Sequence, residues 1–195
     1  MARPTIDRRF RAEAVFGGVG RGGVAFLTLL AGGGALADPV PGSGFDSAGW
    51  HGEARTQLGG DFSYCVIRRD YPNGIELSLA RTPEGLFFLG LKDEGWSLQK
   101  GGEASARLGV DAAPERAQTA QIVARDTVLF TFRPQEDADY AALLSAGRRL
   151  AVEALSVAPE TPRWQFDLDG ARDALAALER CVAAHRETAS SAAPK

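Results

Sequence analysis

The stretch "FSYCVIRRDYPNGIELSLAR", Phe62–Arg81, decides the fold class. In its first half Phe62, Tyr64 and Val66 alternate with Ser63, Cys65 and Ile67; the first set is wholly large and apolar, the second mixed. A period of two marks a strand. "YPNG", Tyr71–Gly74, supplies a turn, because proline fixes φ and glycine admits φ > 0. Ile75, Leu77 and Leu79 then alternate with Glu76 and Ser78. Two alternating runs around a tight turn predict an antiparallel hairpin.

The same rhythm continues downstream. "TPEG" turns the chain into "LFFLGLKD" (Leu86–Asp93), and "GWSLQKGG" predicts a short strand and a turn. Ala104, Ala106, Leu108 and Val110 share a face, and "AQTAQIVAR" and "TVLFTFR" predict two more strands joined at Arg125-Asp126. Strands at this spacing imply a mainly β fold, an antiparallel sandwich or partly open barrel built as a meander, rather than βαβ units. After Pro134, "EDADYAALLSAG" predicts a helix with acidic residues in its first turn, Tyr140, Leu143 and Leu144 on its apolar side and Gly147 as its stop. "RRLAVEALSV" alternates through Leu150, Val152, Ala154 and Ser156, and "RWQFDLDG" predicts a last strand. A closing helix, started at Asp169 or Gly170, carries Ala171, Ala174, Leu175, Leu178, Cys181, Val182 and His185 on one stripe.

The start of the chain has a different character. Five arginines between Arg3 and Arg21 precede the uncharged run "VAFLTLLAGGG" and the small-x-small "ALA" of Ala35–Ala37. Together these predict a secretory signal peptide, residues 1–37, cleaved after Ala37. Arg8-Arg9-Phe10 leaves the twin-arginine route open beside the general one. The expected layout is then a flexible leader at 38–48, one β-rich domain at 49–187 and a disordered tail at 188–195. Cleavage removes five arginines, Asp7 and Glu13, leaving 17 basic against 23 acidic residues, a net charge near −6. That balance argues against nucleic-acid binding, which needs clustered cations. No second apolar run is long enough for a membrane span after cleavage. The expected location is the bacterial periplasm or the exterior.

Export explains the two cysteines. Cys65 lies in the first strong strand and Cys181 on the inward stripe of the last helix. Both enter an oxidising compartment, and the helix must lay its apolar face on the sheet, so a Cys65–Cys181 disulfide is predicted. A catalytic role for Cys181 would need a base such as His185 one turn away and a third orienting group, and none is evident.

Other chemistry is sparse. Gly18, Gly20 and Gly23 spell a nucleotide-binding pattern, but in the presumed leader. His51 and His185 are the only histidines, too few for a zinc site once the cysteines are bridged, so no metal is expected. Asp167, Asp169 and Gly170 suit a helix cap centred on Asp169 better than a calcium loop. Trp50, Trp96 and Trp164 are expected to pack in the core or at its rim. No catalytic set and no cofactor is predicted. The leading expectation is a non-enzymatic envelope protein that binds an unknown envelope or host protein. A second is a small-molecule-binding barrel whose cavity is lined by Phe87, Trp96 and Phe130. A third is a hydrolase using His51 with a nearby serine or aspartate.

Trp50 leading into a strand, Cys65, the meander and "WQFDLDGARDALAALERC" together resemble the exported alphaproteobacterial proteins of the invasion-associated locus B type. Phe166, Leu168, Gly170 and Ala174 stand where that family's closing "F-x-L-x-G…A" segment places them. The resemblance implies an envelope location and an association with host invasion or stress, with no catalytic residues to carry over. The family carries further cysteines in its middle; this chain has none there.

Overall fold

The computed structural model describes residues 37–57, 61–134, 140–160 and 163–191. The expected signal peptide thus lies outside the described residues apart from Ala37, as do the acidic residues Glu136, Asp137 and Asp139. Among the described residues ten strands form one antiparallel sheet that does not close on itself, and two helices accompany it. The strands are β1 (Phe45–Ser47), β2 (Trp50–Thr56), β3 (Phe62–Asp70), β4 (Glu76–Arg81), β5 (Phe87–Lys92), β6 (Glu103–Val110), β7 (Arg116–Ala124), β8 (Thr127–Phe132), β9 (Arg149–Glu153) and β10 (Arg163–Asp167). Helix α1 (Tyr140–Ala146) precedes β9, and α2 (Ala171–Ser191) ends the described chain.

The spatial order is β1-β2-β3-β4-β5-β8-β7-β6-β9-β10. The sheet curls around one core to which every strand from β2 to β10 contributes a side chain, and Phe45 of β1 packs against it. The alternations read from sequence set most of this inner face: Ile75, Leu77, Leu79, Ala104, Ala106, Leu108 and Val110 are all buried. All three tryptophans are buried too.

Several expectations are corrected. Phe62, Tyr64 and Val66 do not share a face. Cys65 and Ile67 enter the main core, while Tyr64 and Val66 pack outside it with Ala80, Leu86, Phe88 and Leu129. A bulge separates Phe62 from them: Arg55 pairs with Tyr64 but Thr56 with Phe62, leaving Ser63 as an extra residue. One inserted residue flips the parity, so Phe62 turns inward and stacks on His185 at 5.1 Å. The segment "GWSLQKGG" is no strand. It crosses the sheet's end, and Leu98 N–H donates to the Arg125 carbonyl at 2.7 Å in the β7–β8 turn. The alternation of β9 stops at Glu153, because Ala154 takes a left-handed φ of 50° and delivers Leu155, not Ala154, to the core.

From Asp38 onward the segment expected as leader is paired with β2. Asp38 and Val40 bond across to Thr56 and Ala54, both at 2.9 Å, and Phe45–Ser47 form edge strand β1. Backbone pairing with β2 holds these residues despite their Pro and Gly content. At the other end, α2 runs on to Ser191, past the expected tail boundary at 188.

Asp111, at a left-handed φ of 51°, holds the start of β9 by accepting from the backbone of Arg148 (3.1 Å) and Arg149 (3.0 Å). Asp111→Ala is expected to cost about 1 kcal/mol, since water can reach the exposed amides, whereas Asp111→Asn keeps most of the stability. Urea unfolding of the two variants measures the difference.

Candidate binding cleft at the seam of the sheet

An open sheet leaves a seam between its first and last strands, and three strand-side donors lace it at one end. Trp50 Nε1 and an Arg69 guanidinium nitrogen both donate to the Asp169 carbonyl, at 3.2 and 2.8 Å, and the Tyr71 hydroxyl donates to the Asp167 carbonyl at 2.5 Å. Phe166 meets the Tyr71 ring edge-on at 5.0 Å. The Asp167 carboxylate accepts the Asp169 N–H at 2.9 Å, so Asp167, not the predicted Asp169, organises the turn into α2.

Burial raises the Tyr71 hydroxyl to about 12, with Arg69 pulling it back down and Asp167 and Asp169 adding to the rise. The neutral phenol is therefore favoured in the fold. Its contribution is full below the unfolded value near 10 and is lost as pH rises through about 12. Tyr71→Phe is expected to cost about 1 kcal/mol at neutral pH. The variant should also lose less stability than the wild type between pH 10 and 12, read by denaturant titration across that window.

Along the rest of the seam α2 lies over β1, β2 and β3. Ala171, Ala174, Leu175, Leu178 and Val182 are buried, as the stripe predicted. Cys65, fully buried in β3, is joined to Cys181, with Cα atoms 6.2 Å apart. Arg81 pairs with Glu179 at 2.8 Å, and Arg186 donates to the Pro83 carbonyl.

Between β1 and α2 the seam stays open as a cleft of about 350 Å³, with Phe45, Asp46, Ala177, Arg180, Cys181 and His185 in its lining. Phe45, Ala177 and Cys181 make its surface partly apolar. Arg180 is exposed and has no hydrogen-bond or ion-pair partner among the described residues. A second cleft, of about 450 Å³, contains Arg107, Glu153 and Arg163. Its charges already satisfy one another: Glu153 binds Arg107 at 3.1 Å and Arg163 at 2.5 Å, and Arg107 reaches Glu115 at 3.3 Å. The seam cleft is thus the better candidate.

Phe87, Trp96 and Phe130, expected to line a ligand cavity, are packing residues and line neither cleft. Phe130 is fully buried, Phe87 packs on Phe132 at 6.0 Å and Trp96 meets Trp164 edge-on at 6.1 Å. His51 bonds through Nδ1 to Asp46, with both side chains over three-quarters exposed. No hydroxyl or thiol hydrogen-bonds to it among the described residues. No group of three or more His, Cys, Asp or Glu among those residues could hold a metal.

Phe45, Asp46 and Arg180 were not singled out from sequence. The signal was there: "FDSAGW" alternates into Ala48-Gly49, a two-residue loop with φ of 49° and 83°, the chemistry of a tight hairpin.

The chain is similar in fold to invasion associated protein B from Bartonella henselae. The TM-score is 0.50 at 20% identity, covering 73% of this chain and 98% of that one. At that identity the likeness concerns the fold alone. No family model matches the chain, and no curated protein matches it. Phe166, Leu168, Gly170 and Ala174 have structural work here: Phe166, Leu168 and Ala174 are buried, and Gly170 abuts Ala48. Among the described residues no helix is long and apolar enough to cross a membrane. Together with the disulfide, this is compatible with an exported protein.

Proposed function

We propose that the protein is an exported, non-enzymatic interaction module of the bacterial envelope that holds a partner protein at the seam cleft. The observation that carries this is the pairing, in one cleft, of the edge strand β1 with the cation of Arg180, which has no partner among the described residues. Supporting it are the signal-peptide pattern ahead of Asp38, the Cys65–Cys181 bridge, and a fold neighbour whose name associates it with invasion. A scaffold clamped by a covalent bond presents such a cleft with little conformational cost on binding.

The test is a photo-crosslinking residue placed at Ala177 in the protein expressed in a bacterium, with Gln165 on the outer face of β10 as the control position. A discrete adduct in the envelope fraction from Ala177, absent from Gln165 and removed by Arg180→Glu, is expected. No adduct at Ala177, or one indifferent to Arg180→Glu, overturns the proposal. Intact mass of the same fraction should show a chain beginning at Asp38.

A further inference from the structure

Resting on that reading, we propose that the occupant of the seam cleft is the C-terminal end of a partner polypeptide. It lies extended against β1, its terminal carboxylate on Arg180 and a small apolar last side chain against Phe45, Ala177 and Cys181.

Ser47 and Trp50 flank the two-residue loop, which makes them a hydrogen-bonded pair, and Phe45 with Gly52 is the next such pair. Asp46 lies between, so its N–H and C=O point away from β2 at the open edge, and Asp46 is among the residues lining the cleft. Among the described residues no strand pairs with that side of β1. An incoming extended chain can bond there by strand addition.

The site is short. Upstream, Pro39 and Pro41 remove backbone donors from this edge. Downstream, the contact of Ala48 with Gly170 blocks the seam. A cleft of about 350 Å³ sits at the small end of the range for ligand pockets, about 300–1,000 Å³. Both features suit a chain end and exclude a strand running through.

The charges around the seam favour a carboxylate. Around the seam Arg69, Arg81 and Arg186 are each engaged, with the Asp169 carbonyl, Glu179 and the Pro83 carbonyl. Arg180 is not, and a guanidinium binds a carboxylate through two parallel hydrogen bonds. The Asp46 carboxylate, bonded to His51, leaves a negative charge on β1 that disfavours an acidic side chain on a chain lying beside it.

The probe is a fluorescein-labelled peptide, Gly-Ser-Lys-Ala-Val, as free acid and as C-terminal amide, followed by anisotropy at low salt on the exported, oxidised protein. The free acid should bind about tenfold tighter than the amide, and Arg180→Gln should erase that difference. Arg172→Gln, exposed on the first turn of α2, should preserve it. Equal binding of acid and amide, no binding of either, or a preference that survives Arg180→Gln overturns the proposal. If peptide binding fails while the Arg180-dependent adduct at Ala177 persists, the chain-end proposal alone is lost. Loss of that adduct removes the interaction reading itself.

Discussion

Replacing Cys65 and Cys181 together by alanine should lower stability by about 4–5 kcal/mol, measured by urea unfolding with tryptophan fluorescence. The bridge closes a loop with a sequence separation of 116, and the chain-entropy model gives about 5 kcal/mol for constraining the unfolded chain to that extent. Total stabilities of single domains are about 5–15 kcal/mol, so the variant would sit near the margin. Alanine is the right replacement at Cys65, which is fully buried, because serine would add a hydroxyl needing a partner. A loss below about 1 kcal/mol would mean that the apolar stripe of α2 holds the helix unaided. Burial also bears on reduction. An external thiolate can reach the partly exposed Cys181, but attack there expels Cys65 as a thiolate into apolar surroundings, which disfavour it. The folded protein should therefore keep its bridge in millimolar thiol and lose it only when denaturant is added, as alkylation and intact mass would show.

Gly170→Val should cost about 3–4 kcal/mol. Gly170 has a φ of 75°, a conformation that costs a side-chain-bearing residue about 1–2 kcal/mol and a β-branched one the most. A Cβ there would also lie 2.5 Å from both the Cβ and the carbonyl oxygen of Ala48. Relieving that overlap means moving the β1–β2 turn away from α2, an overpacking cost of about 1–3 kcal/mol. The turn cannot retreat freely, because Trp50 next to it is fully buried and bonded to the Asp169 carbonyl. The same urea titration reads the effect, and an unchanged midpoint would show that the seam end is not a fitted contact. Gly170→Ala should fall in the same direction with a smaller loss.

The hairpins and the closing helix were legible because their faces are buried on one side only, which imprints a period of two or 3.6 on the residues. Ile75, Leu77 and Leu79 carry that signal cleanly. At β3 it fails, because both faces are apolar: Ile67 meets the main core and Val66 the outer cluster. Periodicity cannot rank two apolar faces, and the bulge at Ser63 then hides the flip of Phe62. The cysteine pair was legible through the stripe of α2. The cleft was not, because it is a juxtaposition of β1 with α2, more than 120 positions apart along the chain. Arg180 taken alone is one more exposed cation on a helix. It acquires meaning only beside Asp46, whose backbone direction is set by the Ala48-Gly49 loop.

A covalent clamp and a laced end together hold α2 across the open side of one curled sheet. Amide hydrogen exchange, followed residue by residue on the oxidised protein and the Cys65→Ala/Cys181→Ala variant under native conditions, tests it most directly. In the variant β4, β5 and β8 should keep the protection that its remaining global stability allows, about 4–5 kcal/mol below the oxidised protein, whereas β1 and the half of α2 beyond Leu178 should open locally and fall well below that level. A variant in which β1 and α2 are as well protected as β4, β5 and β8 would overturn the clamp.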